Sequence, residues 1–193
     1  MFPASLNRYH EGHQSMERHE ALLVIGAKFF SERRDTNPYA SAETMRAFDR
    51  VIRNSLGDDL ARAAAAVRTL YQEQTRRMGT PTRERPLPDP MDLARLRHLK
   101  GLADLLSEWV SRVHALEAPA NDRVYHRIRD NDQLLELLIE VDYQLAKNAS
   151  DLEQLSETVT LSRFDELLPQ FESQLELLGK ALRERSRIIS GVI

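Results

Sequence analysis

Residues 9–20, YHEGHQSMERHE, bring three of the chain's six histidines together with three glutamates. If this stretch is helical, successive side chains turn by about 100°, and His13, Glu17 and Glu20 then fall within roughly 60° of arc. One ion could contact all three side chains. Their nitrogen and carboxylate ligands would suit zinc, iron or manganese.

Other features of the sequence count against a metal site here. The HEGH run is one residue shorter than the HExxH motif, whose i and i+4 histidines share one helix face. We also expect Gly12 to interrupt the helix between His10 and His13. No Glu-x-x-His run, as used by di-iron helical bundles, occurs in the chain. We therefore predict no metal and no cofactor, and interpret the stretch as the polar side of a helix with a buried His19.

Residue types for other catalytic chemistry are missing or badly spaced. The chain has no cysteine, which excludes disulfides, thiolate zinc sites and cysteine nucleophiles and favours a cytoplasmic location. Its seven glycines are too far apart to form a phosphate-binding loop. No apolar run approaches the ~20 residues of a membrane span, and we expect no signal peptide. We predict no catalytic residue, a non-enzymatic function and no membrane contact.

Charge is distributed unevenly along the chain. Residues 1–102 carry 17 basic and 13 acidic side chains, residues 103–176 carry 6 basic and 16 acidic, and residues 177–193 carry 4 basic and 1 acidic. The acidic middle segment would repel a polyanion. This polarity indicates self-complementary packing or a protein partner.

A cluster of cations around the middle of the chain is the candidate nucleic-acid contact. It comprises Arg76, Arg77, Arg83, Arg85, Arg95, Arg97 and Lys100. Arginines on loops and helix starts bind phosphates well. However, Glu84, Asp89 and Asp92 lie among them, and Tyr71 is the only nearby ring that could stack on a base. We therefore favour a solvated linker whose arginines pair with acidic residues of the C-terminal hairpin, and keep nucleic-acid binding as the alternative.

The elements that must position these residues are predicted to be helical. Abundant Leu, Ala, Arg and Glu favour helices, and few glycines and aromatics argue against a β-sandwich or barrel. We predict one all-α domain over residues 1–193, an antiparallel bundle of about five to seven helices. A Pro-rich connector at residues 79–90 separates an N-terminal group, residues 1–78, from the C-terminal helices, residues 91–193.

The N-terminal helices can be placed from their apolar spacing and their capping residues. We predict a first helix over residues 15–34, and a second that is capped by Asn37 or Ser41 and ends near Gly57. We favour a further segment after Gly57, and the alternative is one helix that continues through Gly57, because the apolar residues on both sides keep the same phase. After the connector, Asp89 is a good N-cap and Pro90 suits the first helical position of a helix ending near residue 117.

The C-terminal third predicts a long helical hairpin, because two heptad seams follow one another. The first seam is Leu134, Leu138, Val141, Leu145, Asn148, Leu152, Leu155 and Val159. The second is Leu161, Phe164, Leu168, Phe171, Leu175, Leu178 and Leu182, with Arg185, Ile189 and Val192 in the same phase. The apolar side chains of such seams pack against another helix, which belongs either to the same chain or to a partner. Pro169 is expected to kink the second helix or to mark its start.

The last ten residues, ERSRIISGVI, end the chain on aliphatic side chains. We expect them to dock on the protein's own core, and the alternative is that Ile188, Ile189, Val192 and Ile193 anchor a partner. The predicted function is a non-enzymatic protein–protein interaction module, an adaptor, scaffold or subunit, that uses its helical seams to bind another protein or itself. The alternatives are a nucleic-acid-associated accessory subunit and a helical bundle that binds a small ligand or metal.

Overall fold

A computed structural model describes residues 20–30, 37–80, 83, 87–116, 119 and 121–191. Within these residues the chain is all-helical and contains no strand. Six helices are present there, of which α1 is residues 20–29, α2 is Ala42–Met78, α3 is Pro90–His114, α4 is Arg123–Arg129, α5 is Asp132–Thr158 and α6 is Phe164–Ser190. The predicted all-α fold is confirmed.

Local capping chemistry sets the beginnings of α2 and α3. Ser41 Oγ accepts a hydrogen bond from the Thr44 N–H at 3.1 Å, and Thr44 Oγ1 accepts one from the Ser41 N–H at 2.9 Å. This reciprocal capping box satisfies backbone donors that the first turn of α2 leaves unpaired. At α3, Asp89 Oδ1 accepts from the Met91 N–H at 2.7 Å and Pro90 is the first helical residue, as predicted.

The break that we favoured at Gly57 is wrong and the alternative of one helix is confirmed, because α2 runs through Gly57 without interruption. A glycine inside a helix costs only about 1 kcal/mol relative to alanine, which the burial of neighbouring apolar residues readily exceeds. Ile52, Leu56 and Leu60 are all buried along this part of α2. A Cβ at Gly57 would lie 2.6 Å from the imidazole of His114, so the glycine admits that ring against α2.

The chain before the hairpin contains a short helix that sequence analysis did not separate from α5. Asn121 Oδ1 accepts from the Arg123 N–H at 2.9 Å at the start of α4. A turn at Asp130 then ends α4, and Asn131 Oδ1 accepts from the Leu134 N–H at 3.1 Å to cap α5. Two asparagine caps so close together favour two helices over one.

The two heptad seams are buried within the chain itself. Their buried members are Leu138, Val141, Leu145, Asn148, Leu152, Val159, Leu161, Phe164, Phe171, Leu175, Leu178, Leu182, Arg185 and Ile189. Leu134, Leu155 and Leu168 are half-buried, and Leu167 is buried in place of Leu168. Pro169 lies inside α6, which begins at Phe164. The seams therefore pack against other helices of the same chain.

The chain divides into two compact units. The first unit comprises Met1–Ile52, Ala118–Asn148 and Leu177–Ile193, and the second comprises Arg53–Glu117 and Ala149–Glu176. The division passes through α2, α5 and α6, while the Pro-rich connector falls within the second unit. The two units therefore do not correspond to the parts of the sequence on either side of the connector.

Each unit has an apolar core of its own. In the first unit the ring of Phe48 lies 5.8 Å from that of Phe29, 5.1 Å from that of Phe30 and 5.6 Å from that of Tyr39, measured between centroids. Such edge and offset contacts add to the free energy of burial. In the second unit, the largest fully buried side chains are Leu56, Leu60, Leu99, Leu106, Phe164 and Phe171. Trp109 of α3 is half-exposed.

Candidate functional site

A buried cluster of polar side chains lies in the first unit. Arg185 Nε donates to Asp142 Oδ1 at 2.7 Å, and Arg185 Nη1 donates to Asp49 Oδ1. Tyr39 Oη donates to Asp142 Oδ2 at 2.8 Å. The side chains of Arg185, Asp49 and Asp142 are 8%, 4% and 0% exposed. One guanidinium therefore holds carboxylates from α2 and α5 against α6.

Burial governs the titration of this cluster. It raises the pKa of Asp142, against the opposing effect of Arg185 and of the hydrogen bond from Tyr39. It also raises the pKa of the Tyr39 hydroxyl, with a further contribution from the Asp142 charge. Burial alone would lower the pKa of Arg185, but the charges of Asp142 and Asp49 outweigh it and raise that pKa. Because these side chains are buried, the cluster joins α2, α5 and α6 within the first unit and is not accessible to a ligand.

The heptad spacing places Arg185 in the second seam but does not identify its partners. An arginine at a seam position, where leucine or phenylalanine is the usual residue, needs a buried anion. The presence of Arg185 in the seam could therefore have predicted a buried acidic partner. Its partners are distant in sequence: Asp49 lies 136 residues away and Asp142 lies 43 residues away. Only tertiary packing brings them to the guanidinium.

An open groove in the second unit is the candidate binding site. It has a volume of about 620 Å³ and lies between the end of α5 and the beginning of α6. Its lining residues are Asp151, Gln154, Leu155, Thr158, Arg163, Leu167, Pro169, Gln170, Ser173 and Gln174. Those of α5 recur at i, i+3, i+4 and i+7, which places them on one face of that helix. The sequence pattern did not predict this site, because the 3–4 spacing of α5 and α6 indicates only which of their faces is buried.

The groove is rich in groups that donate or accept hydrogen bonds. Gln154, Gln170 and Ser173 are exposed, and their side chains make no hydrogen bond within the part of the chain that the structure describes. The Oε1 atom of Gln174 is buried and likewise has no partner among those residues. Leu167 supplies a buried apolar surface beneath them. A groove of this kind can bind a polar ligand through several hydrogen bonds.

Two charged side chains also line the groove, and their surroundings differ. Arg163 Nε lies 3.7 Å from Glu166 Oε2, so a neighbouring carboxylate offsets part of its charge. Asp151 is half-buried and has no ion pair among the residues that the structure describes. The stronger uncompensated charge in the groove is therefore negative.

Residues 149–176, which we call the acidic hairpin, carry seven acidic side chains and one basic side chain. Glu153 pairs with Arg62 at 2.9 Å, and Asp165 accepts from Arg95 at 2.6 and 2.8 Å. Glu166 lies near Arg163. The remaining four acidic residues have no ion pair within the described ranges, and they are Asp151, Glu157, Glu172 and Glu176. The groove therefore lies in a segment whose negative charge the rest of the unit leaves largely uncompensated.

The cationic cluster that sequence analysis named is partly neutralised. Arg77 pairs with Glu73, and Lys100 Nζ lies 2.7 Å from Asp104 Oδ2. Arg95 bonds to Asp165 of the acidic hairpin, which is the type of pairing that we expected for the arginines of this linker. Arg76, Arg83 and Arg97 are exposed, and Arg85 lies outside the described residues.

The aliphatic end of the chain is docked on the first unit as far as the structure describes it. Ile188 and Ile189 are buried, whereas Val192 and Ile193 lie outside the described residues. Arg127 Nη2 donates to the Ile188 carbonyl at 2.8 Å and so holds the end of α6. Ile188 and Ile189 therefore present no surface to a partner.

Of the histidine-rich stretch, Glu20 falls within the described residues, and His13, Glu17 and His19 lie outside them. Among the described residues, no three His, Cys, Asp or Glu side chains are grouped so that they could hold a metal ion. No helix there combines the length and the apolar character needed to cross a membrane.

Comparison with known proteins adds no relative: the chain matches no protein-family model, no curated protein and no solved structure. The function is therefore inferred from the chain's own residues, and the groove with its acidic surroundings is the site from which we infer it.

Proposed function

We propose that the chain is a non-enzymatic protein-interaction module and that its acidic hairpin binds a basic segment of a partner protein. The observation that carries this proposal is the open groove of about 620 Å³ in a segment with seven acidic side chains and one basic one. A concave site among uncompensated carboxylates favours a cationic partner through charge complementarity.

The exposed charges have a cost that a binding role would explain. Glu172 and Glu176 are both exposed and lie four residues apart on α6. Like charges at this spacing destabilise a helix by about 0.2 to 0.5 kcal/mol. In return, a surface of one sign attracts an oppositely charged partner and accelerates its association, and it repels nucleic acid.

The seams themselves are a poor site for a partner, because most of their side chains are buried within the chain. Sequence analysis predicted that the seams would bind another chain, and the proposal moves that contact to the outer surface of the same hairpin. The nucleic-acid alternative has less support, since Arg77, Arg95 and Lys100 already pair with carboxylates.

Affinity capture with charge-reversed variants tests the proposal. The purified chain, carrying a chemical cross-linker, is used to capture proteins from an extract of its source cells, and mass spectrometry maps the cross-linked peptides. We expect a partner whose cross-linked peptide is rich in Lys or Arg, and we expect Glu172→Lys/Glu176→Lys to abolish its capture. The matched control is Glu136→Lys/Glu140→Lys, an exposed acidic pair of the same spacing in the first unit.

Two results would count against this function. Equal capture by the wild type and by Glu172→Lys/Glu176→Lys would show that the acidic hairpin does not bind the partner. Loss of capture in the control variant alone would place the contact in the first unit. Circular dichroism of each variant must show wild-type helicity before either result is interpreted.

A further inference from the structure

We propose that the groove binds about three residues of extended polypeptide, with the cationic head of a lysine or arginine paired to Asp151. This inference rests on the proposed function and names the chemistry of the segment that the partner supplies. It follows from the length of the groove, from the hydrogen-bonding groups that line it and from the position of Asp151, which has no ion pair among the described residues.

The length of the groove limits what it can hold. Its lining on α5 runs from Asp151 to Thr158, which at 1.5 Å per residue spans about 10 Å. An extended chain advances about 3.3 Å per residue, so the groove accommodates about three residues in that conformation. A helix already pairs its own backbone N–H and C=O groups, so its main chain would leave the hydrogen-bonding groups of the lining unpaired.

The carboxamides of the groove complement a peptide backbone. A glutamine side chain offers one carbonyl acceptor and an NH₂ donor, the same pair of functions that a peptide group presents in reverse. Gln154 on α5 and Gln170 on α6 are both exposed and both line the groove. Each can therefore pair with the main chain of a segment lying between the two helices, without regard to that segment's side chains.

Asp151 supplies the selectivity for charge. Its carboxylate has no ion pair among the described residues, while the guanidinium of Arg163 already has Glu166 at 3.7 Å. A lysine or arginine of the partner would pair with Asp151 in a half-buried position, where such a hydrogen-bonded charge pair is stronger than on the open surface. Gln174 Oε1, which is buried without a partner among these residues, is a further acceptor in the lining of the same groove.

Fluorescence anisotropy with labelled pentapeptide pools tests this inference on the full chain. The pools share random neutral residues at the flanking positions and differ in the central residue, which is Lys, Glu or Gln. We expect the Lys-centred pool to bind about tenfold more tightly than the Gln-centred pool, and the Glu-centred pool to bind most weakly. Asp151→Asn should remove that tenfold preference and leave binding of the Gln-centred pool unchanged. The matched control is Glu157→Gln, which removes the same charge from an exposed position of α5 that does not line the groove.

The outcomes separate this inference from the proposed function. Undiminished binding of the Lys-centred pool by Asp151→Asn, or an equal loss in Glu157→Gln, would overturn the pairing with Asp151. Competition by free spermidine as effective as that by unlabelled Lys-centred peptide would overturn the role of the peptide backbone. If the captured partner is lost with Glu172→Lys/Glu176→Lys but binds Asp151→Asn normally, the interaction function stands and the groove assignment falls. If partner capture depends neither on Glu172→Lys/Glu176→Lys nor on Asp151→Asn, both the interaction function and the groove assignment fall.

Discussion

The guanidinium of Arg185 donates through Nε to Asp142 Oδ1 at 2.7 Å, and the Asp142 side chain is fully buried. This bond joins α6 to α5 inside the first unit, and Arg185 Nη1 extends it to Asp49 on α2. Buried charges cost free energy unless they are paired and hydrogen-bonded. The stability of the first unit should therefore depend strongly on whether this one side chain is present.

Replacing Arg185 should destabilise the protein severely. Arg185→Met retains an apolar stem of similar length but leaves Asp49 and Asp142 buried without their cation, which costs about 3 to 5 kcal/mol. Urea unfolding followed by circular dichroism measures the loss. Arg187→Met, at an exposed position of the same helix, is the matched control and should change stability by less than about 0.5 kcal/mol. Similar losses in both variants would contradict a structural role for the buried cluster.

The free energy of unfolding should depend on pH through Asp142. Burial, the largest effect, raises the pKa of this carboxyl in the folded state above the ordinary value of about 3.9. The folded state therefore binds the proton more tightly than the unfolded chain does. The resulting contribution to stability is fully present below the unfolded pKa and is lost as pH rises through the folded pKa.

Asp142→Asn removes this titration, so its free energy of unfolding should rise relative to that of the wild type as pH increases above the unfolded pKa of about 4. Urea unfolding at a series of pH values gives both profiles. Glu140→Gln, an exposed position of the same helix, should keep the wild-type profile. Parallel curves for Asp142→Asn and the wild type would show that Asp142 contributes nothing to the pH dependence.

Substitution of Gly57 should reveal two opposed effects. Gly57→Ala gains about 1 kcal/mol of helix propensity, but the new Cβ displaces the imidazole of His114. Because His114 is exposed and can move, we expect a small net change. In a His114→Ala background, Gly57→Ala should show the full gain in helix propensity. Gly101→Ala should show that gain without a second substitution, because its Cβ would meet nothing within 4 Å. A large destabilisation by Gly57→Ala in both backgrounds would mean that the backbone, rather than His114, limits the space.

Gly191 at the end of α6 should tolerate alanine poorly. Its φ of 76° is in the left-handed region, and a Cβ there would collide with the Arg127 guanidinium that holds the helix end. Gly79 has a φ of 66° at the end of α2, with nothing within 4 Å of a Cβ. We expect Gly79→Ala to cost about 1 kcal/mol from backbone strain alone, and Gly191→Ala to cost more. Equal losses in thermal or urea unfolding would show that the contact with Arg127 is unimportant.

Features set by neighbouring residues could be predicted from the sequence. Asp89 and Pro90 start α3 because an aspartate cap followed by proline suits the first turn in any context. The 3–4 spacing of leucines predicted α5 and α6, because that spacing places one stripe of apolar side chains on each helix. The all-α fold follows from such local patterns, which act over one or two helical turns.

Only the tertiary structure decided what those stripes bury and what they leave open. Arg185 finds Asp49 and Asp142 through packing of α2, α5 and α6, and no local pattern relates residues so far apart in sequence. Gly57 does not break α2, because the burial of Leu56 and Leu60 outweighs the local preference of glycine. The groove exists because residues of two helices face one another from Asp151 to Gln174. Hydrophobic spacing specifies which face of a helix is buried, but the partner that covers it, and the surface that remains open, depend on the packing of the whole chain.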